Sequence, residues 1–168
     1  MLKDAIKIIS TTPEKIRREF AEMSLLEMKT RPAPGESSAQ EIIGHLDDVE
    51  YHGFRARIEA MLKTRNPVLP RFDQESRVAK MRYDRKDPRR TLDSLARQRR
   101  ANVRWLRNLR PAQLKRTGTH AEAGKMRADE FVYEWAFHDL GHLRQILEIK
   151  RRALFPSIGN MRKYYRLT

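Results

Sequence analysis

The sequence predicts an all-α fold, a four-helix bundle with a long crossover connection between its second and third helices. Three observations carry that prediction. Four stretches repeat apolar residues at three- and four-residue spacing, the period of a helix with one buried face. Glycine and proline fall in clusters that divide those stretches from one another. No segment alternates for long with the two-residue period of a strand, and no internal repeat appears.

The first stretch is expected to begin near Thr11, Thr12 and Pro13, where a threonine cap, a first-turn proline and Glu14 three residues after Thr11 form a start signal. It runs to about Lys29 and stops at Arg31-Pro32-Ala33-Pro34-Gly35. The second opens at Ser37 and Ser38, with Glu41 placed for a capping box with Ser38, and runs to about Lys63, ahead of Asn66-Pro67. Ile42, His45, Val49, His52 and Ala56 share one of its faces. Val68 to Lys86, with Pro70 and scattered charge, reads as the crossover with a short helix.

Asp87-Pro88 opens the third stretch, which ends near Leu109. Its apolar stripe is Leu92, Leu95, Ala96, Val103, Leu106 and Leu109, and most of Arg89, Arg97, Arg100, Arg104 and Arg107 falls off it. Pro111 to Leu114 reads as a helical turn and Thr117 to Gly124 as a loop. The fourth stretch, Ala128 to about Arg152, lines its inner face with Phe131, Trp135, His138, His142, Ile146 and Ile149. One domain therefore covers residues 1–168. Residues 155–168 form a tail expected to pack on the bundle or across a dimer interface through Phe155, Ile158, Tyr164 and Tyr165.

Composition narrows the chemistry. With 39% hydrophobic and 35% charged residues, the 168-residue chain suits one ordered domain with a heavily solvated surface. The absence of cysteine excludes disulfides, thiolate metal sites and a cysteine nucleophile, so any metal must be held by His, Asp or Glu. No apolar run approaches the roughly 20 residues of a membrane span, and a cytoplasmic location is expected. The net charge of +14 favours contact with polyanions or acidic ligands without choosing among them.

The histidines are the informative residues. His138 and His142 lie one helical turn apart, the spacing with which a helix clamps a metal between two imidazoles. Both sit on the apolar stripe between Trp135 and Ile146, where each ring must still satisfy two nitrogens. His45 occupies a like position on the second helix, between Ile42 and Val49, so three histidines from two helices match a tridentate site with an open position. His138-Asp139-Leu140-Gly141-His142 lacks the glutamate that follows the first histidine in zinc proteases. His52 lies two turns beyond His45, roughly 10 Å along the axis, and reads as structural or supporting. His120 falls in a loop and reads as a surface residue.

Residues 38–46 (Ser38 to Leu46, with His45) and residues 134–146 (Glu134 to Ile146, with His138 and His142) resemble the DinB/YfiT-like family of metal-binding four-helix bundles. Weaker matches are residues 31–35, 66–70 and 116–120, and the likeness runs from about Thr12 to Arg152. It implies a triad of one histidine from the second helix and two from the last long one, which fall on His45, His138 and His142. It also implies a homodimer. Two positions depart from the family pattern: Ser37 stands where members often carry tryptophan, and Arg127 where a threonine often starts the last helix.

Three neutral imidazoles leave an ion its full charge, able to polarise an oxygen, acidify water or hold a thiolate. The resemblance covers thiol transferases, which activate a low-molecular-weight thiol, and hydrolases. A metal-dependent transferase or hydrolase is thus expected, with an unknown small-molecule substrate. Zinc is the expected ion, and nickel could enter from a purification column. Glu134 and Asp139 are the weak candidates for a catalytic carboxylate. Two other readings stand beside this: a basic nucleic-acid-binding protein, from the arginines of the third helix, and a bundle whose metal is purely structural.

Overall fold

The computed structural model describes residues 1–167, apart from the side chain of Glu75. The bundle helices are α1 (Leu2–Ala21), a second helix made of α3 (Ala39–Val49), a π-helical segment (Glu50–Arg55) and α4 (Ala56–Lys63), then α6 (Pro88–Arg107) and α8 (Ala128–Leu154). Short α2 (Leu25–Lys29) links the first two, and α7 (Pro111–Leu114) follows α6. The crossover after α4 contains α5 (Gln74–Met81) and a 3₁₀ turn, Tyr83–Arg85. In the bundle, α1 packs against α8 and α6, and α3 against α6 and α8. No helix among the described residues is long and apolar enough to cross a membrane.

The first helix starts ten residues earlier than its sequence signal suggested. Ser10, Thr11 and Thr12 do not cap; their hydroxyls donate back to the carbonyls of Lys7 and Ile8 inside the helix. Pro13 sits within α1 and leaves Ile9 O without its N–H partner. The guanidinium of Arg99 supplies the missing donor, with Nη1 2.6 Å from Ile9 O. The helix then ends at Ala21, and a capping box between Ser24 and Glu27 starts α2.

The Ser38–Glu41 capping box starts α3 as expected. The shared face from Ile42 to Ala56 does not persist, because the π-helical segment places an extra residue in the turn. Beyond Val49 the buried side is carried by Gly53, Phe54, Arg57 and Ile58, while His52 turns to solvent.

The crossover and the expected loop at 117–124 are more ordered than the sequence implied. β2 (Thr117–His120) pairs antiparallel with β3 (Gly124–Arg127) and parallel with β1 (Val68–Leu69), in the order β1-β2-β3. Each strand has two to four residues, too few to establish an alternating pattern. Gly118 is required here: a Cβ would come within 2.9 Å of both Leu69 Cδ1 and Met61 Cγ. The tail after α8 is a 3₁₀ segment, Phe155–Tyr164, with Phe155 and Ile158 half-buried but Tyr164 and Tyr165 exposed. Thr168 lies outside the described residues.

Two apolar cores fill the bundle. One gathers Ile9, Phe54, Ile58, Val103, Leu106, Phe131 and Trp135; the other Ile16, Phe20, Ile43, Leu46, Leu92, Leu95 and Ile146. Between them, on the second helix, α6 and α8, runs a polar layer. It consists of the buried ion-pair cluster Arg99, Glu50 and Asp139 together with the three histidines. The layer stands where the sequence stripes pass through His45, Arg99 and His138.

Candidate metal centre

The middle of α3 supplies His45, and the middle of α8 supplies His138 and His142 one turn apart. Their Nε2 atoms converge: His45 Nε2 and His142 Nε2 each lie 3.1 Å from His138 Nε2. A hydrogen shared between two rings can satisfy only one of these contacts at a time. Two ligands bound to one ion at 2.0–2.1 Å stand about 3.3 Å apart in tetrahedral geometry and about 2.9 Å apart at right angles. Both 3.1 Å spacings fall between those values, and all three ligand atoms lie within 4.8 Å of one another, so the residues fit a single first-row divalent ion.

The protonation states fit as well. Burial, reinforced by the neighbouring His142, lowers His45 to about 4 and His138 to about 2. Burial lowers His142 too, against a hydrogen bond to Gln145. All three rings are therefore neutral near pH 7. His142 Nδ1 bonds Gln145 Oε1 at 2.7 Å, which fixes the tautomer whose Nε2 lone pair faces the cluster. The Nδ1 atoms of His45 and His138 are buried and have no hydrogen-bond partner among the described residues.

Packing holds the rings in place. Phe54 stacks on Trp135 with centroids 5.0 Å apart and meets His138 edge-on at 5.3 Å. Tyr83 lies edge-on to His45 at 6.5 Å and donates from its hydroxyl to Asp48 Oδ2 at 2.7 Å. Arg77 pairs bidentately with the same carboxylate. Burial alone would raise the Asp48 carboxyl, but these bonds outweigh it and hold its pKa below the ordinary value. Gln40 Nε2 donates to the Tyr83 carbonyl at 3.1 Å, so the crossover is tied to α3 beside His45.

The weak catalytic candidates separate. Asp139 is fully buried and accepts from both Nη atoms of Arg99, which also donates to Glu50 at 2.9 Å. Its carboxylate is therefore occupied in the core. Glu134 instead lines a pocket of about 220 Å³ that opens beside His45 and His138. Phe54 and Phe72 form apolar walls of this pocket, and Arg57, Gln74, His120, Glu122 and Glu134 line its polar part. Burial raises the Glu134 carboxyl against the pull of Arg57 and His120. His52 stays outside the cluster, exposed beside Asp48 at 3.3 Å.

Arg99, Glu50 and Arg57 join the residues that the spacing singles out, and His120 lines the pocket instead of lying on the surface. Arg99 and Glu50 had a visible signal, since each falls where its helix stripe calls for an apolar residue: Leu95-Arg99-Val103 and Leu46-Glu50-Phe54. His120 had none, because its place in the pocket depends on strand pairing.

Comparison with known proteins agrees with this geometry. A family model described as the DinB superfamily matches residues 8–146. A Halalkalibacterium halodurans protein named "putative metal-dependent hydrolase" is 28% identical over 148 residues, 84% of this chain and 81% of its own. An Oceanobacillus iheyensis protein of the same name is 24% identical over 155 residues, covering 90% and 87%. Among solved structures, YfiT from Bacillus subtilis superposes with a TM-score of 0.83 at 20% identity, over 90% of this chain and 87% of that one. It is described as "a probable metal-dependent hydrolase with an unusual four-helix bundle topology". The four-helix bundle, the histidine cluster between its helices and the match over residues 8–146 together place this chain in the DinB superfamily.

Proposed function

We propose that this chain is a metal-dependent hydrolase in which His45, His138 and His142 hold one divalent ion, zinc in the cell. The observation that supports it is the convergence of three neutral Nε2 atoms, with those of His45 and His142 each 3.1 Å from that of His138, beside a pocket that His45 and His138 line. The names of the two curated relatives point the same way. Three protein ligands leave a coordination position free, as a catalytic rather than a structural site requires.

When bound, the ion would acidify water and polarise a substrate oxygen. The remaining roles belong to the chain. Glu134, one turn before His138 and on the same pocket, takes the proton from attacking water and returns it to the leaving group. Its raised carboxyl pKa brings it closer to the working pH of a general base. Phe54 and Phe72 exclude bulk water from the apolar side. Asp139 acts as a positioning residue: its bond to Arg99 fixes α8 at the residue next to His138.

The test is elemental analysis of protein purified without a nickel column, beside a His45→Ala, His138→Ala, His142→Ala triple variant. About one metal per chain, absent from the variant, is expected. The zinc-loaded protein is then screened against esters, amides and phosphoesters, and against small thiols paired with electrophiles. Turnover only in the thiol arm would replace hydrolysis by thiol transfer. Failure of both samples to take up zinc would end the metal-enzyme reading.

A further inference from the structure

We propose that Arg57 and His120 form a binding cradle for a carboxylate or a comparable oxygen acceptor, and that the pocket takes a small molecule with an apolar body and such a group. Its place in a reaction rests on the hydrolase reading; the binding itself needs no metal.

Arg57 is the first observation. Its side chain is only 9% exposed, yet no described carboxylate lies within ion-pair distance of it. Among the described residues it has one hydrogen bond, from Nη2 to the carbonyl of Pro70 at 2.9 Å. Its guanidinium carbon stands 5.8 Å from the ring of Phe131. A guanidinium has five N–H donors, and a buried cation without a counter-ion is costly, so such a group on a pocket wall is poised to receive an anion. Glu134 and Glu122 lie near enough to be felt, but they do not close on it. Glu122 is turned toward Arg71, at 3.4 Å.

His120 is the second. Its Nδ1 accepts from the backbone N–H of both Glu122 and Ala123, each at 3.2 Å. A neutral imidazole accepting at Nδ1 carries its hydrogen on Nε2. The hairpin therefore fixes His120 as a donor, and the ring lines the same pocket as Arg57. Phe131 supports both groups, with the His120 ring centred 6.3 Å from its own. The small sheet thus has a function: the Thr119 N–H to Pro67 and Ala121 N–H to Leu69 bonds hold His120 beside the segment whose Pro70 anchors Arg57.

The two donors share the pocket with His45 and His138; Phe54, Phe72 and Val49 supply its apolar lining, and Gln74, Glu122 and Glu134 the rest of its polar lining. A ligand with an acceptor at one end and an apolar body matches that lining. An ester or amide whose acid part carries a second carboxylate would use the cradle for orientation and leave its reacting carbonyl toward the histidines.

The experiment uses full-length protein stripped of metal by chelation, titrated calorimetrically with benzoate and with benzyl alcohol as the neutral control. The His120 ring is followed by NMR. Benzoate is expected to bind and shift that ring, and benzyl alcohol to bind more weakly. Arg57→Met is expected to weaken benzoate by about tenfold or more, as loss of a charge-assisted bond does. Arg57→Lys keeps the cation without the fork and should fall between. Should Arg57→Met fail to fold, His120→Ala carries the test, with a smaller loss expected. Binding that is absent, or indifferent to both Arg57 and His120, overturns the cradle even if the loaded protein proves to be a hydrolase. Arg57-dependent binding in a chain that takes up no zinc would preserve the cradle and sink the hydrolase instead.

Discussion

Arg99 donates from Nη1 to Ile9 O at 2.6 Å, and Ile9 O is the carbonyl that Pro13 leaves without a helical partner. One side chain thereby repairs α1, pairs with Glu50 in the π-helical segment and with Asp139 beside His138. It joins all four bundle helices at the level of the histidines. Its charge is held by two carboxylates with no access to water, and these partners outweigh burial to keep its pKa above the ordinary value.

Replacing Arg99 by Met should therefore cost far more than a lost surface pair. Glu50 and Asp139 would remain buried without a counter-ion, and Ile9 O without a donor. Breaking a buried pair in this way costs about 3–5 kcal/mol. Urea unfolding at neutral pH reads the loss directly. A shift under about 1 kcal/mol would mean that water or a neighbouring group replaces the guanidinium, against the burial seen here.

Asp48 predicts a pH dependence. Its folded pKa is depressed by the bonds from Arg77 and Tyr83, which outweigh the opposing effect of burial. A depressed carboxyl contributes stability that is complete above its unfolded pKa of about 3.9 and is lost as pH falls through the folded value. Asp48→Asn should destabilise the protein at neutral pH. The gap from wild type should begin to narrow as pH drops below about 4, where the unfolded chain takes up the proton first, and close only below the folded pKa, where both states bind it. Urea midpoints for the two proteins at neutral pH and near pH 3 check this; a gap of constant size would show that Asp48 acts by shape rather than charge.

How much of this was legible beforehand follows from the range of the interactions. Helices with one apolar face announce themselves locally, and the three histidines lay on such faces, so the bundle and the cluster could be read from spacing. Pro13 misled because its compensation comes from Arg99, 86 positions along the chain by their numbers. The π-helical segment shifted His52 off its expected face for a reason no side-chain pattern displays. His120 looked like a loop residue because its role is set by pairing with Val68–Leu69, a contact between distant and very short strands. Charges on an apolar stripe, Arg99 and Glu50, were readable as an anomaly, but their partners were not.

Gly44 predicts a steric effect next to the site. A Cβ there would lie 2.7 Å from Tyr83 Cβ and 2.9 Å from its Cγ. Tyr83 cannot retreat easily, being buried and bonded to Asp48. Gly44→Ala should cost about 1–3 kcal/mol, the usual range for overpacking, despite the better helix propensity of alanine. Chemical denaturation measures it. A stabilised variant would show that the turn at Tyr83–Arg85 shifts freely, and with it the wall beside His45.

Gln145 gives the most direct test of how the site is tuned. It is exposed, so its loss should leave the fold intact. Yet its Oε1 holds His142 Nδ1 at 2.7 Å and so selects the ring nitrogen that faces the other two histidines. Without that bond His142 can adopt the opposite tautomer or rotate, and loss of such an outer partner typically costs about 10–100-fold in metal affinity. Gln145→Ala should therefore melt like wild type in the metal-free state. With zinc added to both at the same concentration, wild type should gain the larger rise in melting temperature, since stabilisation by a ligand follows its concentration relative to Kd. Gln145→Glu, which keeps an acceptor, should recover the shift. Equal shifts in wild type and Gln145→Ala would mean that packing alone orients His142, and the histidine cluster would then be rigid without help from its surface.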